Sequence, residues 1–154
     1  MPRKIRKRKP TRLSAPMTRA MLLPMVAVSA QKVSLENHMS LVALRQGHGS
    51  RDFADKLLET IYLVFYLVDE QTFSTHCEIF KSAESTLRKL LERWSIGDQC
   101  IVDDAQCRAI EAILSLHDAQ MAWLPTYQID GAKRRLTRAL DRGRFPDLLS
   151  RPQN

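Results

Sequence analysis

The sequence predicts an all-α protein, an antiparallel bundle of four or five helices that follows a disordered basic N-terminal tail. Apolar residues recur at helical spacing, and this periodicity is interrupted only at Gly47, Gly97 and Pro125. Hydrophobic residues make up 44% of the 154 residues, whereas aromatic residues make up 6% and glycines number five. This composition supports one ordinary core and lacks the turn-dense, aromatic-rich pattern of a β-sandwich or barrel.

Basic residues are concentrated at the two ends of the chain, whose formal net charge is +7. Residues 1–12 contain seven Lys and Arg and no acid, residues 13–130 contain ten basic and fifteen acidic residues, and residues 131–151 contain seven basic and two acidic residues. Segments rich in Lys, Arg and Pro cannot bury enough apolar surface to fold alone. We therefore expect a disordered tail over residues 1–15, a helical domain over residues 16–145 and a C-terminal tail over residues 146–154.

A short apolar run follows the basic segment. Residues 21–30, Met-Leu-Leu-Pro-Met-Val-Ala-Val-Ser-Ala, have the pattern of a secretory signal or an organelle transit peptide. Pro24 interrupts this run, however, and apolar residues continue without a polar break to Val42, as in a first core helix. The run is also too short to span a membrane. We expect a cytoplasmic protein with no membrane partner, and export by an N-terminal signal is the alternative.

The first two helices are separated by the break at residues 47–49. Helix one is expected to begin at about Met17 or Pro24 and to end before this break, after which Ser50 can cap helix two. Within helix two, residues 61–68 are apolar on nearly every side. Such a segment is typical of a central bundle helix or a self-association face, and its β-branched and aromatic residues leave a buried strand as an alternative.

The last three helices are delimited by turn residues, a cap pattern and a proline. They are helix three over about residues 75–94, helix four from a capping-box pattern at Asp103 and Gln106 to Pro125, and a basic helix five over about residues 128–141. The residues expected in the core are Leu57, Ile61, Phe65, Leu87, Leu90, Trp94, Ile113, Leu114 and His117.

No motif points to catalysis, a metal or a cofactor. The cysteines, Cys77, Cys100 and Cys107, are odd in number and have no Cys-x-x-Cys spacing, so neither a disulfide framework nor a zinc site is predicted. The sequence contains no Gly-rich phosphate loop, no Gly-x-Ser-x-Gly and no His-Glu-x-x-His. We therefore expect a protein that is not an enzyme, with no catalytic residues, no metal and no cofactor.

One histidine–aspartate pair stands on helix four. His117 and Asp118 are adjacent and therefore point about 100° apart, which argues against a dyad between them. A histidine on the apolar face of a helix usually bonds to a backbone carbonyl or a carboxylate in the core. Asn37 and His38 occupy a comparable position on helix one. We predict that Asn37, His38, His117 and Asp118 are structural polar residues whose contacts fix the helix register.

Two short patterns are shared with a family of small bacterial proteins. The pattern N-H-x-x-x-x-A-L-x-x-G occurs at Asn37, His38, Ala43, Leu44 and Gly47, and L-H-D-A-Q occurs at residues 116–120. With the basic tail and the order of helices, the chain resembles small proteins of β-proteobacterial genomes, prophages and plasmids that are commonly labelled Fis-type transcriptional regulators. The resemblance covers about two thirds of the chain and departs from the family around Pro125. It implies a transcriptional regulator.

A second resemblance is local. Residues 86–94, Thr-Leu-Arg-Lys-Leu-Leu-Glu-Arg-Trp, are similar to the DNA-recognition helix of Fis, where exposed basic residues near the helix start reach bases and phosphates. Arg88 and Lys89 are the candidates for that role. A helix-turn-helix normally has glycine in the turn that precedes the recognition helix, whereas this sequence has Lys81 at that position. One continuous helix over about residues 75–94 is the favoured interpretation.

A rival helix-turn-helix can be drawn over residues 41–58, with Gly47 in its turn. Lys56 falls where this motif needs a packed apolar residue. Gly47 followed by Ser50 more simply indicates one helix end and one helix start.

The charge distribution predicts nucleic acid as the partner, bound largely through phosphate contacts. The candidate contact residues are Arg3, Lys4, Arg6, Lys7, Arg8, Lys9 and Arg12 in the tail, Lys133, Arg134, Arg135 and Arg138 in the last helix, and Arg88 and Lys89 in helix three. The predicted function is a nucleic-acid-associated transcriptional regulator of a bacterial mobile element or its host. The alternative is a non-enzymatic protein–protein interaction module that binds a host protein, and a homodimer is a further partner hypothesis.

Overall fold

A computed structural model describes residues 15–97 and 101–148. The described chain forms a short 3-10 helix (Arg19–Leu22) and five α-helices, α1 (Ala27–Arg45), α2 (Arg51–Leu67), α3 (Glu70–Ser95), α4 (Asp104–Trp123) and α5 (Thr126–Asp141). No strand occurs within these residues, so the predicted all-α bundle is confirmed. The strand alternative for residues 61–68 is wrong, because α2 continues through Leu67.

The helix α2 lies at the centre of the bundle. It contacts each of the other four helices, while α1 and α3 both pack against α4. Five consecutive residues of α2, from Ile61 to Phe65, are buried. A helix that is apolar on every side is stable only when other elements surround it, which explains the central position of α2.

The helix boundaries largely follow the predicted turn and cap residues. Gly47 adopts φ +74° after the end of α1, a left-handed conformation that glycine takes without steric cost. Asp103 Oδ1 accepts a hydrogen bond from Gln106 N at 2.8 Å, and Gln106 Oε1 accepts one from Asp103 N at 3.1 Å. The capping box predicted at the start of α4 is therefore confirmed. Ser50 precedes α2 as expected, but its hydroxyl makes no capping hydrogen bond.

The segment before α1 differs from the expected helix start. Residues 19–22 form a 3-10 turn, and α1 begins at Ala27. Leu23 is extended, with φ −94° and ψ 153°, because a following proline disfavours the α conformation. The carbonyl of Leu23 accepts hydrogen bonds from the backbone N–H and the hydroxyl of Thr126 at 2.9 and 2.8 Å. These bonds join the segment to the start of α5.

The helix α3 is uninterrupted over 26 residues. The favoured interpretation of residues 75–94 as one continuous helix is confirmed, and the helix-turn-helix with a turn at Lys81 is wrong. This helix also begins earlier than expected, because the side chain of Asp69 accepts a hydrogen bond from Thr72 N at 2.7 Å and caps the first turn.

The predicted core residues are buried, with the exception of Trp94. Trp94 is partly buried because it lies in the last turn of α3, at the edge of the core. Beyond α5, Pro146 and Leu148 are buried as well. Among the described residues, the packed part of the chain therefore continues past residue 145.

Within the described residues, no helix is long and apolar enough to cross a membrane. Two of the three cysteines are described as free thiols, Cys77 partly buried and Cys107 buried. Cys100 lies outside the described residues.

Candidate functional site

The helix α5 has one apolar face and one basic face. Its buried residues are Ile129, Ala132 and Leu136, and the helix packs against α2. The predicted contact residues of this helix, Lys133, Arg134, Arg135 and Arg138, are all exposed. Since Arg134 and Arg138 are four residues apart, they project from the same side of the helix. The basic side chains thus form a continuous solvent-facing surface, called the α5 basic face below.

The α5 basic face has no counter-ion in the part of the chain that the structure describes. No Asp or Glu of that part forms an ion pair with Lys133, Arg134, Arg135 or Arg138. The guanidinium of Arg135 lies 5.5 Å from the ring centroid of Tyr66, in a cation–π contact. Like charges one helical turn apart destabilise a helix by roughly 0.2–0.5 kcal/mol. An anion bound at this face relieves that repulsion.

The N-terminal segment joins the bundle at the first turn of α5. The 3-10 helix contacts α5, and the two hydrogen bonds between Leu23 and Thr126 hold the segment there. The tail residues predicted to contact nucleic acid, Arg3, Lys4, Arg6, Lys7, Arg8, Lys9 and Arg12, lie outside the described residues. They are covalently linked to a segment that contacts α5, so seven positive charges are tethered to the helix that bears the α5 basic face.

Arg88 is engaged within the protein. Its Nε donates a hydrogen bond to Glu84 Oε1 at 3.0 Å, and its Nη2 donates one to the Tyr62 hydroxyl. The Tyr62 hydroxyl donates to Glu84 Oε1 at 2.6 Å, and the Arg88 guanidinium lies 4.4 Å from the ring centroid of Phe145. Burial, together with the hydrogen bond to Glu84, raises the pKa of Tyr62, so this hydroxyl stays protonated at neutral pH. Of the two candidate recognition residues, Arg88 and Lys89, only Lys89 is exposed.

The polar residues Asn37, His38, His117 and Asp118 lie between α1 and α4. His38 Nε2 is 3.0 Å from Asp118 Oδ2, a contact that joins the two helices. His117 Nδ1 is 3.7 Å from Asp118 Oδ1, closer than the 100° divergence of adjacent helical residues leads one to expect but too far for a hydrogen bond. The structure therefore pairs His38 with Asp118 and leaves Asn37 and His117 outside this pair.

Asn37 and His117 line a cavity. Asn37 is 1% exposed and His117 is 2% exposed. Among the described residues, neither amide atom of Asn37 has a hydrogen-bond partner, and His117 Nδ1 has none either. His117 Nδ1 therefore makes no hydrogen bond to a carbonyl or a carboxylate among the described residues, and its approach to the Asp118 carboxylate is the 3.7 Å contact. The cavity measures about 390 Å³, is partly open to solvent and is lined by residues of α1, α2, α4 and α5 together with Met25.

Burial determines the protonation of the His117 ring. It lowers the pKa of His117 below the ordinary histidine value, against the opposing effect of the Asp118 carboxylate, while the charges of Lys133 and His38 add to the lowering. The ring is therefore neutral at pH 7, with one nitrogen as donor and the other as acceptor.

The rest of the cavity lining is mostly apolar or already hydrogen-bonded. Its apolar residues are Met25, Val33, Leu63, Met121, Leu136 and Leu140. Lys56 forms an ion pair with Glu36. The hydroxyls of Thr60 and Thr137 donate to carbonyls of their own helices at 2.9 and 3.0 Å. The unpaired hydrogen-bonding groups of the buried lining thus belong to Asn37 and His117.

Sequence reasoning did not predict this cavity. The available signal was the position of Asn37 on the inward face of α1, among Ser40, Leu41 and Leu44, which are all buried. A buried amide is ordinarily hydrogen-bonded, so a polar residue at such a position favours a structural role. The lack of a partner depends on how four helices meet, which no local pattern encodes.

Within residues 15–97 and 101–148, no group of three or more His, Cys, Asp or Glu side chains is placed to hold a metal ion. Comparisons of the chain with protein-family models, with curated proteins and with solved structures gave no match. The resemblance to Fis-type regulators therefore stays a prediction.

Proposed function

We propose that this protein is a nucleic-acid-associated transcriptional regulator of the bacterial cytoplasm that binds phosphates with the α5 basic face and the N-terminal tail. The observation behind this proposal is the exposure of Arg134 and Arg138, one turn apart, without a carboxylate partner among the described residues. The tethering of the seven-charge tail to the start of α5 supports the same conclusion, because both basic elements then act on one polyanion.

Phosphate contacts determine how the proposed binding should depend on salt and on nucleic-acid sequence. The 16 residues of α5 extend over about 24 Å at 1.5 Å per residue, long enough to face several phosphates of a duplex. Contacts to phosphates position a protein on nucleic acid but do not read its sequence. Arg88 adds no base contact, since Glu84 and Tyr62 already hold its guanidinium. We expect binding that depends strongly on salt and weakly on sequence.

A titration of fluorescently labelled duplex DNA and of RNA at several salt concentrations tests the proposal. The observed association constant should fall as salt rises, and the double variant Arg134→Glu/Arg138→Glu should reduce the logarithmic slope by up to about 0.9 per lost phosphate contact. The loss should be the same on duplexes of different sequence.

A matched control changes the same number of charges elsewhere. The double variant Arg51→Glu/Arg108→Glu reverses two exposed arginines on α2 and α4 and should leave the salt slope nearly unchanged. The proposal is overturned if the full-length protein shows no salt-dependent binding to DNA or RNA at low ionic strength, or if the two double variants lose affinity equally.

A different surface favours the alternative function, a module that binds a host protein. Val28, Leu35, Met39 and Val42 are exposed and recur on the outward side of α1, where they form an apolar stripe. Contiguous exposed apolar surface often marks a protein–protein contact. The alternative gains support if nucleic-acid binding is absent and the variant Leu35→Ser/Met39→Ser releases a protein that co-purifies with the unaltered chain.

A further inference from the structure

We propose that the cavity lined by Asn37 and His117 binds a small, uncharged, mainly apolar molecule that presents an N–H donor beside a C=O acceptor, as a cyclic amide does. This inference does not depend on the proposed nucleic-acid function. It rests on the unpaired polar groups, the apolar walls and the size of the cavity.

The buried amide of Asn37 favours a bound ligand. A buried amide without a hydrogen bond raises the free energy of the folded protein, and such groups are rare in folded proteins. Both the Oδ1 and the Nδ2 of Asn37 are in this state among the described residues, in a side chain that is 1% exposed and lines the cavity. A ligand that satisfies both atoms recovers this free energy on binding.

The side-chain carboxamide of Asn37 has two hydrogen-bonding groups of opposite kind. Its oxygen accepts and its nitrogen donates, side by side in one plane. A cyclic amide offers the complementary pair, since its N–H and C=O lie on the same edge of the ring. The two groups can therefore form two parallel hydrogen bonds. The neutral ring of His117, whose Nδ1 has no partner among the described residues, supplies one more donor or acceptor on the same lining.

The walls of the cavity determine the polarity and the size of the rest of the ligand. The side chains of Val33, Leu63, Met121 and Leu136 line the cavity, so the part of a ligand that faces them is apolar. The volume of about 390 Å³ lies in the range of about 300–1,000 Å³ that is usual for small-molecule sites.

The buried end of the cavity disfavours a charged ligand. Asn37 and His117 are both neutral there at pH 7, and the Lys56 ammonium is already paired with Glu36. An ionised group placed against Asn37 has no counter-charge in the buried lining and loses its hydration. Lys133 and Glu59 are exposed and mark the solvent side of the cavity.

The test uses two cyclic amides of different size, 2-piperidone and 2-quinolone, and naphthalene as an apolar control without polar groups. Binding is followed on the full-length protein by the side-chain amide resonances of Asn37 in ¹H–¹⁵N spectra and by the melting temperature. We expect at least one cyclic amide to shift the Asn37 resonances and raise the melting temperature. Naphthalene should bind at least about tenfold more weakly, because it leaves both amide atoms of Asn37 unpaired.

Three variants locate the bound probe. Asn37→Leu should abolish binding and raise the melting temperature of the unliganded protein, because it replaces an unpaired buried amide with an apolar side chain of similar size. Thr137→Trp fills the cavity from an exposed position and should abolish binding even if Asn37→Leu fails to fold. Ser40→Ala is the matched control: Ser40 is buried on α1 and donates to the Glu36 carbonyl outside the cavity, so binding should persist.

The inference is overturned by either of two results. In the first, neither cyclic amide shifts the Asn37 resonances at any concentration up to the solubility limit of the amide, which means that the cavity binds only water. In the second, binding survives in both Asn37→Leu and Thr137→Trp, which places the bound probe elsewhere on the protein.

Discussion

His38 and His117 stand one on each side of the contact between α1 and α4, and their surroundings differ. His38 is partly exposed and lies against Asp118, whereas His117 is 2% exposed and lines the cavity. The sequence pattern does not distinguish the two histidines, since each lies beside a polar residue on a helix. Their difference arises from tertiary packing, because α1 brings His38 to the rim of the contact and α4 turns His117 inward.

The first residue-level prediction concerns pH. Burial lowers the folded-state pKa of His117 below its ordinary value of 6.5, so between the two pKa values the unfolded chain binds more protons. The stability contributed by the neutral ring is present above about pH 6.5 and is lost as the pH falls towards the folded-state pKa. From pH 7 to pH 5, the free energy of unfolding should therefore fall more steeply in the wild type than in His117→Leu, as measured by urea denaturation.

A control for this prediction is His48→Gln, which changes an exposed histidine and should keep the wild-type pH dependence. Parallel curves for the wild type and His117→Leu contradict the prediction, because they mean that protonation of His117 is not linked to unfolding.

The second residue-level prediction concerns Glu84, an acidic residue that is largely buried on α3. The structure gives the reason for its presence: Glu84 Oε1 accepts hydrogen bonds from Tyr62 and Arg88. Glu84→Ala leaves both donors without this acceptor and should lower the free energy of unfolding by about 1–3 kcal/mol. Glu78→Ala, at an exposed site on the same helix, should change it by no more than about 0.5 kcal/mol. Equal decreases in the free energy of unfolding for the two variants, measured by urea denaturation, contradict this account.

At the level of helices, the sequence predicts the helices and helix ends that are determined by residues close to one another in the chain. The apolar stripe predicts α3, and the capping box at Asp103 and Gln106 predicts the start of α4, because periodicity and cap hydrogen bonds act within one helix. The sequence did not predict that residues 19–26 lie outside α1, where the Leu23 carbonyl accepts a hydrogen bond from Thr126, which is distant in sequence. The Fis-like segment was ambiguous, since a short motif matches a recognition helix and an ordinary core helix equally well.

The element-level prediction compares two helix caps. Asp103 forms both hydrogen bonds of a capping box at α4, whereas Ser50 makes no side-chain hydrogen bond at α2. Asp103→Ala should therefore lower the free energy of unfolding by about 1 kcal/mol, and Ser50→Ala should leave it almost unchanged. A larger loss for Ser50→Ala than for Asp103→Ala in urea denaturation contradicts the assignment of the caps.

At the level of the whole molecule, basic and acidic residues are concentrated in different parts of the sequence, and the fold determines which of these parts lie side by side. The sequence alone shows two basic ends around an acidic middle part. The structure adds that the described chain enters the bundle at α5, through the contact of the 3-10 helix and the bonds at Thr126. The segment that follows the basic tail in the sequence therefore lies against α5, and this proximity depends on a long-range contact that composition does not reveal.

The last prediction follows from that proximity. If the tail and the α5 basic face bind one stretch of phosphates together, removal of residues 1–12 and the change Arg134→Glu/Arg138→Glu each weaken the same complex, and their effects are coupled. In a double-mutant cycle at constant salt, the combined loss of binding free energy should differ from the sum of the separate losses by about 1 kcal/mol. The same truncation combined with Arg51→Glu/Arg108→Glu should give additive losses, because those arginines lie on α2 and α4. Additive losses in both cycles mean that the tail and α5 bind phosphates independently, and the shared phosphate surface is then rejected even if each element binds nucleic acid.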